Sequence, residues 1–198
     1  AQKMSHAREH GMKMVVVDPM LSYPASQAEE WVPILPGTDA ALALGMMYVL
    51  IHEMGVYDAD YLKSYTNLIY LIGPDGRYVR DPDSGKPLVW DTGEEAARPY
   101  DEPDSLLCAL EGEYEVSGTT ARPAFQVFKE HVLEYTPERV EEITTVPAAT
   151  TRRLAKEFGE NAQIGSTIEI DGETLPYRPV VATWYRGVSG HKHGMLNG

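Results

Sequence analysis

A single cysteine, Cys108, stands among the 198 residues of this chain. That scarcity excludes an internal disulfide and any cysteine-rich metal cluster within these residues. Leu106, Leu107 and Leu110 around it mark a buried, unreactive thiol. Cations are also few: 17 lysines and arginines against 30 aspartates and glutamates give a net charge of -13. A protein that grips a phosphate backbone needs clustered Lys and Arg to displace counterions, so nucleic acid is excluded as a partner. The longest apolar run, Ala40 through Ile51, is about 12 residues, short of the roughly 20 that span a bilayer. It reads as a buried helix, and no membrane span is expected in this segment. There is no P-loop, no Gly-x-Ser-x-Gly elbow and no paired carboxylate arrangement that points to hydrolysis. No internal repeat or low-complexity segment interrupts the chain.

The stretch from Val15 to Asp39 carries the strongest pattern. Val15, Val16 and Val17 make a β-branched run that stops at Asp18-Pro19, the signature of a buried parallel strand ending in a turn. The expectation is a central parallel strand over Met14 to Val17 that delivers Asp18 to the sheet's carboxyl edge, where open α/β sheets bind ligands. Trp31 to Leu35 offers a second short strand, broken by Pro33 and suited to an edge. Pro36-Gly37-Thr38-Asp39 then opens a helix, with Thr38 as N-cap and Asp39 in the first turn.

Around this stretch the chain reads as follows. Gln2 to His10 is helical and Gly11 stops it. Helix Asp39 to Met54 is apolar nearly all round, so it packs on more than one side, Gly45 permits a close neighbour, and Gly55 ends it. Asp58 caps a helix to about Tyr65, and Tyr57, Tyr61 and Tyr65 form one stripe assigned to the core. Leu68 to Ile72, Arg77 to Arg80 and Pro87 to Trp90 are short strands, with Asp75-Gly76 the strongest hairpin signal. Asp91 to Ser105 is a solvated acidic excursion. Glu113 to Val116 adds a strand, and Gly118 to Arg122 leads into helix Pro123 to Leu133. Helices follow from Pro137 through Ile143 and from Pro147 through Phe158. A hairpin turns at Asp171-Gly172, and Val180 to Tyr185 is the next core strand. His6, His10, His52 and His131 lie on predicted helices as surface or capping residues. The fold class is α/β, Rossmann-like, a mostly parallel sheet with flanking helices and an inserted hairpin-rich excursion. Its segments are a cofactor-binding α/β unit at 1–66, a hairpin and acidic loop insertion at 67–122, and helices and a strand leading to a second loop at 123–198. The helix-like start and the glycine-rich end read as an internal fragment of a larger multidomain fold.

Two places could carry chemistry. Guanine presents a ring N–H beside an exocyclic amine, and one carboxylate accepts both, which makes Asp18 and Asp39 candidates. Backbone N–H groups of Gly37 and Thr38 suit phosphates. The bland alternative is that Asp18 closes a turn and Asp39 favours the helix dipole. The second place is the run from Tyr185 to Gly194, where a glycine-rich turn and the cations Arg186, His191, Lys192 and His193 follow a strand. The alternative there is an ordinary strand-to-helix turn with exposed basic residues. His191 and His193 are flanked by glycines and have no third ligand nearby, so no independent metal site is read from them.

Asp18-Pro19 with its polar turn, Ala28-Glu29-Glu30-Trp31, and Pro36-Gly37-Thr38-Asp39 before an Ala/Leu-rich helix resemble the molybdopterin oxidoreductases of the dimethyl sulfoxide reductase type. So do the Tyr135-Thr136-Pro137-Glu138 helix start and the loop containing Gly187, Gly190, His191 and Gly194. Met20 stands where many relatives carry arginine, and Gly190 where they often carry glutamine. The resemblance implies the catalytic subunit of an oxidoreductase that holds molybdenum or tungsten between two molybdopterin guanine dinucleotides. It places Asp18, Pro19, Met20, Leu21 and Ser22 at the nucleotide end of one pterin, with Gly37, Thr38, Asp39, Arg186, Gly187, Gly190 and His191 as further cofactor contacts. It also implies a 4Fe-4S cluster and the metal's protein ligand N-terminal to this segment. The implied partners are the remainder of the catalytic subunit, together with an iron-sulfur electron-transfer subunit. Two other functions compete: a different dinucleotide binder on a Rossmann-like unit, against which no G-x-G-x-x-G follows the first strand, and a non-catalytic scaffold of the same fold.

Overall fold

The computed structural model describes residues 2–184. In chain order the helices and strands are α1 (Gln2–Glu9), β1 (Val15–Val17), α2 (Tyr23–Ser26), β2 (Glu30–Val32), α3 (Asp39–Tyr48), α4 (Ala59–Tyr65), β3 (Leu71–Ile72), β4 (Leu88–Asp91) and β5 (Ala96–Pro99). They continue with β6 (Tyr114–Val116), β7 (Thr119–Pro123), α5 (Ala124–His131), α6 (Pro137–Thr144), α7 (Ala148–Asn161), β8 (Thr167–Ile170) and β9 (Glu173–Pro176). The chain forms two compact units, one from the residues up to Gly55 together with those from Glu134 onward, the other Val56–Leu133. The second contains the whole of segment 67–122.

In the first unit, β1 and β2 pair in parallel, with Val15 opposite Glu30 and Val17 opposite Val32. The core beneath them gathers Val32, Ile34, Leu42, Val140, Val146 and Leu154, with Val17, Met46 and Tyr135 packed against it. Helix α3 lies against α6 and α7. The contact at Gly45 is as close as the sequence suggests: a Cβ there would meet Val140 Cγ2 at 2.7 Å. Beyond Tyr48 the helix widens into a π turn, Val49–Glu53, before Gly55 at φ +66 ends it. Gly159 on α7 is equally tight, since a Cβ would fall 2.7 Å from Leu50 Cδ2 within that π turn. Arg152 on α7 bridges Glu53 and Glu138, at 2.9 and 2.6 Å, and so ties the π turn to α6. The bridge holds the Glu138 carboxyl below its ordinary range.

Helix α6 starts as expected: Thr136 accepts a hydrogen bond from Arg139 N at 3.3 Å, with Pro137 in the first turn. Thr151 on α7 is fully buried and its hydroxyl finds no hydrogen-bond partner among the described residues. A buried hydroxyl left unpaired costs about 1 kcal/mol or more. Thr151→Val keeps the shape and removes that group, so it should raise stability by about 1 kcal/mol in denaturant unfolding; an unchanged or lowered midpoint would contradict this account of the site.

The second unit is built from antiparallel pairs: β3-β7-β6 in one sheet and β4-β5 in another. Its core holds Leu71, Leu88, Val116 and Ala121, flanked by a stacked Trp90–Tyr114 pair with ring centroids 4.2 Å apart. Asp58 caps α4 by accepting from Tyr61 N at 3.1 Å. The hairpin at Asp75-Gly76 forms, with Gly76 at φ +74. Cys108 is fully buried, and desolvation together with the nearby Asp91 carboxylate pushes its thiol up to about 11. A thiol reagent at about pH 8 should therefore leave Cys108 unmodified in the folded protein and modify it in denaturant, as mass spectrometry would record; rapid labelling of the native protein would contradict its burial.

Several expectations are corrected. The described residues are mixed α/β but not a mostly parallel sheet, because β1-β2 is their one parallel pair and the other pairings are antiparallel. Short strands joined by tight turns such as Asp171-Gly172, both at positive φ, return the chain antiparallel without a crossover. Among the described residues the valine strand is parallel but has one neighbour and so is not central. It belongs to a two-stranded sheet, with Val15 38% exposed. The tyrosine stripe is not core: Tyr57 packs on Phe125, whereas Tyr61 and Tyr65 are 56% and 77% exposed and stack on each other. Spacing of four makes residues neighbours on a helix without saying which face is covered. The acidic excursion contains β5 and a buried Asp91, whose carboxylate accepts from Gly93 and Glu94 N–H at 2.8 and 3.2 Å and so closes a turn. Thr119–Pro123 is a strand rather than a lead-in to a helix. Of the expected strand Val180 to Tyr185, residues 180–184 form no strand and Val181 and Trp184 are exposed, since no strand among the described residues lies beside them, and Tyr185 lies outside the described residues.

Candidate functional site

The parallel pairing of β1 and β2 decides where the candidate residues go. Both strands run the same way with Val17 opposite Val32, so the segments leaving them, 18–22 and 33–39, emerge from one edge of the sheet. Asp18 N–H still donates to Val32 O at 3.2 Å, which fixes the start of the first loop beside the end of β2.

The first loop is organised by its own aspartate. One Asp18 carboxylate oxygen accepts from Met20 N–H at 3.0 Å and the other from Ser22 Oγ at 2.8 Å, while Ser22 N–H donates to Met20 O at 2.7 Å. Pro19 breaks the strand at this point, and α2 starts directly after Ser22 with Pro24 in its first turn. With both carboxylate oxygens turned inward, the loop presents Met20 and Leu21 outward, 68% and 59% exposed. A contributor that the sequence reading did not single out is Trp31: its indole Nε1–H donates to Asp18 O at 2.9 Å and locks the loop from β2. Its one advance signal was an indole on the strand next to β1, whose N–H is a donor within reach of the first loop.

The second segment behaves differently. Gly37 sits at φ +79, a conformation that favours glycine. Thr38 is in the N-cap position, yet its side chain does not cap: Thr38 Oγ1 donates back to Leu35 O at 2.7 Å, and its N–H turns to the same carbonyl at 3.3 Å. The hydroxyl is satisfied within the turn, so the N–H groups that start α3 at Asp39 and Ala40 have no partner among the described residues. Asp39 is only 9% exposed, and its carboxylate likewise finds no hydrogen-bond or ion-pair partner among them. The carboxylate and the neighbouring amides are thus open to a ligand from outside these residues. Underneath, Leu35 N–H donates to Thr144 O at 2.9 Å and Ile34 is in the core, so the segment is anchored on α6.

The structure thus brings Asp18 to Ser22 and Gly37 to Asp39 to one sheet edge, with complementary states: Asp18 is used up locally, Asp39 is not. Arg186, Gly187, Gly190 and His191 lie outside the described residues. Among the described residues no group of three or more His, Cys, Asp or Glu is placed to hold a metal ion, and no helix is long and apolar enough to cross a membrane.

The chain is 33% identical, over 96% of its length, to a sulfite dehydrogenase subunit of Allochromatium vinosum, of which the match covers 22%. It is 31% identical over 80% of its length to the alpha subunit of perchlorate reductase from Dechloromonas aromatica, again 22% of that protein. The alpha subunit of chlorate reductase from Ideonella dechloratans is 31% identical over 78% of this chain and 19% of its own length. The chain therefore spans about a fifth of the length of these curated relatives. Among solved structures, acetylene hydratase from Pelobacter acetylenicus is similar at 25% identity and a TM-score of 0.47, covering 83% of this chain and 14% of that one. The family model for molybdopterin oxidoreductases matches residues 1–158, which include β1, β2, both loops at their carboxyl edge and the helices beneath them; the chain belongs to the molybdopterin oxidoreductase family.

Proposed function

We propose that this chain is the part of an oxidoreductase catalytic subunit that grips the nucleotide end of a molybdopterin guanine dinucleotide, in an enzyme holding molybdenum or tungsten between two such cofactors. The observation that carries the reading is the Asp39 carboxylate, 9% exposed and unpartnered among the described residues, at the same sheet edge as the Asp18 loop. Asp39 accepts the guanine ring N–H and exocyclic amine, and the amides at the start of α3 meet the phosphate side. The Asp18 to Ser22 loop closes over the nucleotide, with its shape held by the internal hydrogen bonds and by Trp31. The Arg186 to His191 loop supplies the cations for pyrophosphate. When bound, the metal carries the redox chemistry, and these residues supply position. The relatives' names, each designating one subunit of an enzyme, support a place in a multi-subunit assembly. Its electron partner is an iron-sulfur subunit, with a 4Fe-4S cluster in the catalytic subunit itself.

Cofactor extracted from the intact protein and identified by mass spectrometry tests the reading. The expected species is the guanine dinucleotide form of molybdopterin, accompanied by molybdenum or tungsten in metal analysis. A nicotinamide or flavin dinucleotide would replace the proposal with a different dinucleotide binder. No cofactor at all in freshly purified protein would leave a scaffold of the same fold.

A further inference from the structure

The second compact unit carries a concavity that the cofactor reading does not use. It lies between the Gly73 to Gly76 turn and the Ser117-Gly118 turn and encloses about 390 Å³, within the range of small-ligand sites. Arg77 and Arg80 both line it, together with Asp75, Val79 and Val116.

Most of the described arginines of this chain are ion-paired. With a net charge of -13, carboxylates are abundant, and Arg8, Lys86, Arg98, Arg122, Lys129, Arg139, Arg152, Arg153 and Lys156 each have one as ion-pair partner. Arg77 and Arg80 have none among the described residues, although acids sit beside both in sequence. Asp75 is turned into its own turn, where its carboxylate accepts Arg77 N–H at 3.1 Å. Asp81 is spent on Ser84, accepting from its N–H at 2.8 Å and its hydroxyl at 2.6 Å. Those bonds hold the Asp81 carboxyl below its ordinary range. The neighbouring negative charges are thus held in turn hydrogen bonds rather than paired with the guanidinium groups.

Arg80 is also oriented, because its Nη1 donates to Gly85 O at 2.8 Å, which leaves its other donors free. Across the concavity, the Ser117 and Thr119 hydroxyls line the wall and have no hydrogen-bond partner among the described residues. Two arginines and two hydroxyl residues around one small concavity supply the donor types that recognise an oxyanion, with Asp75 the one carboxylate residue in the lining.

We infer that the concavity between these two hairpin turns binds a small oxyanion, a carboxylate or phosphate group held by Arg77 and Arg80 with Ser117 and Thr119 as further donors. The site uses none of the residues assigned to the cofactor, and it stands whether or not the cofactor reading does. Titration calorimetry of the intact protein with inorganic phosphate, and separately with acetate, tests it at ionic strength held constant with chloride. Saturable binding is expected for at least one of the two, and which one identifies the class. Arg77→Gln should weaken it by about tenfold, and the Arg77→Gln, Arg80→Gln pair should abolish it. Arg77 makes no side-chain contact that the fold depends on, so the single variant keeps the test valid if the double variant unfolds. Arg98→Gln, which removes a cation paired with Glu102 instead, should leave binding unchanged. No binding of either anion, or equal affinity in the wild type and Arg77→Gln, would overturn the inference.

Discussion

Asp39→Ala should strip the intact protein of most of the guanine dinucleotide cofactor proposed for it while leaving the fold in place. The carboxylate is nearly buried at the start of α3 and makes no bond among the described residues that its removal would break. Alanine is a good helix former, and the loss of a first-turn acid costs the helix only about 0.3–1 kcal/mol through the dipole. On the binding side the loss is larger. Two hydrogen bonds from guanine to a charged acceptor are together worth about 3 kcal/mol or more, which corresponds to roughly two orders of magnitude in affinity. Metal content and extracted nucleotide per polypeptide should fall together, with thermal unfolding of the apo form little changed. Unchanged molybdenum or tungsten content would remove Asp39 from the site. A parallel substitution, Asp18→Ala, should act differently, because it releases Met20 N–H and Ser22 Oγ and so loosens the loop itself.

Gly45→Val should destabilise the first unit by about 3 kcal/mol, at the upper end of ordinary overpacking. The Cβ alone would sit 2.7 Å from Val140 Cγ2, and Val140 is fully buried, β-branched and unable to swing aside. Further down the same helical run, Leu50 meets Gly159 just as closely, so α3 has no slack along its axis to relieve the clash. The decisive measurement is a double-mutant cycle: Val140→Ala on its own should also destabilise, by leaving a cavity, but combined with Gly45→Val it should recover a large part of the loss. Strictly additive effects would show that the helices do not approach as described. Because α3 carries Asp39 at its start, Gly45→Val should also lower cofactor content, and the rescue should restore it.

What was legible in the sequence is what local chemistry decides. Gly11 and Gly55 end helices at positive φ, Asp58 and Thr136 cap, and Asp75-Gly76 and Asp171-Gly172 turn hairpins, each from residues within a few positions of one another. What was not legible depends on partners far along the chain. Three valines in a row declare burial on a strand but not how many strands lie beside it, and here β1 has one partner in the described residues. The π turn has no signature in the apolar pattern of Val49 to Glu53; it is a register change whose neighbours, Gly159 and Arg152, come from α7. The buried Asp91 inside an acidic run looked like one more solvated charge until β5 folded back beside it. At the site, Asp-Pro and Pro-Gly-Thr-Asp marked both loops, but the division of labour between the two aspartates needed their hydrogen bonds. Ser22 at four residues from Asp18 uses up one carboxylate, and nothing among the described residues uses up the other.

An experimental structure of the intact, cofactor-loaded protein, read at a single distance, decides whether Asp39 holds the nucleotide. The guanine ring N–H and exocyclic amine should lie within hydrogen-bond range of the Asp39 carboxylate, about 2.7–3.2 Å, with the Asp18 to Ser22 loop beside the same nucleotide. A guanine dinucleotide bound at another edge, with Asp39 instead paired to a side chain from elsewhere in the protein, would contradict it.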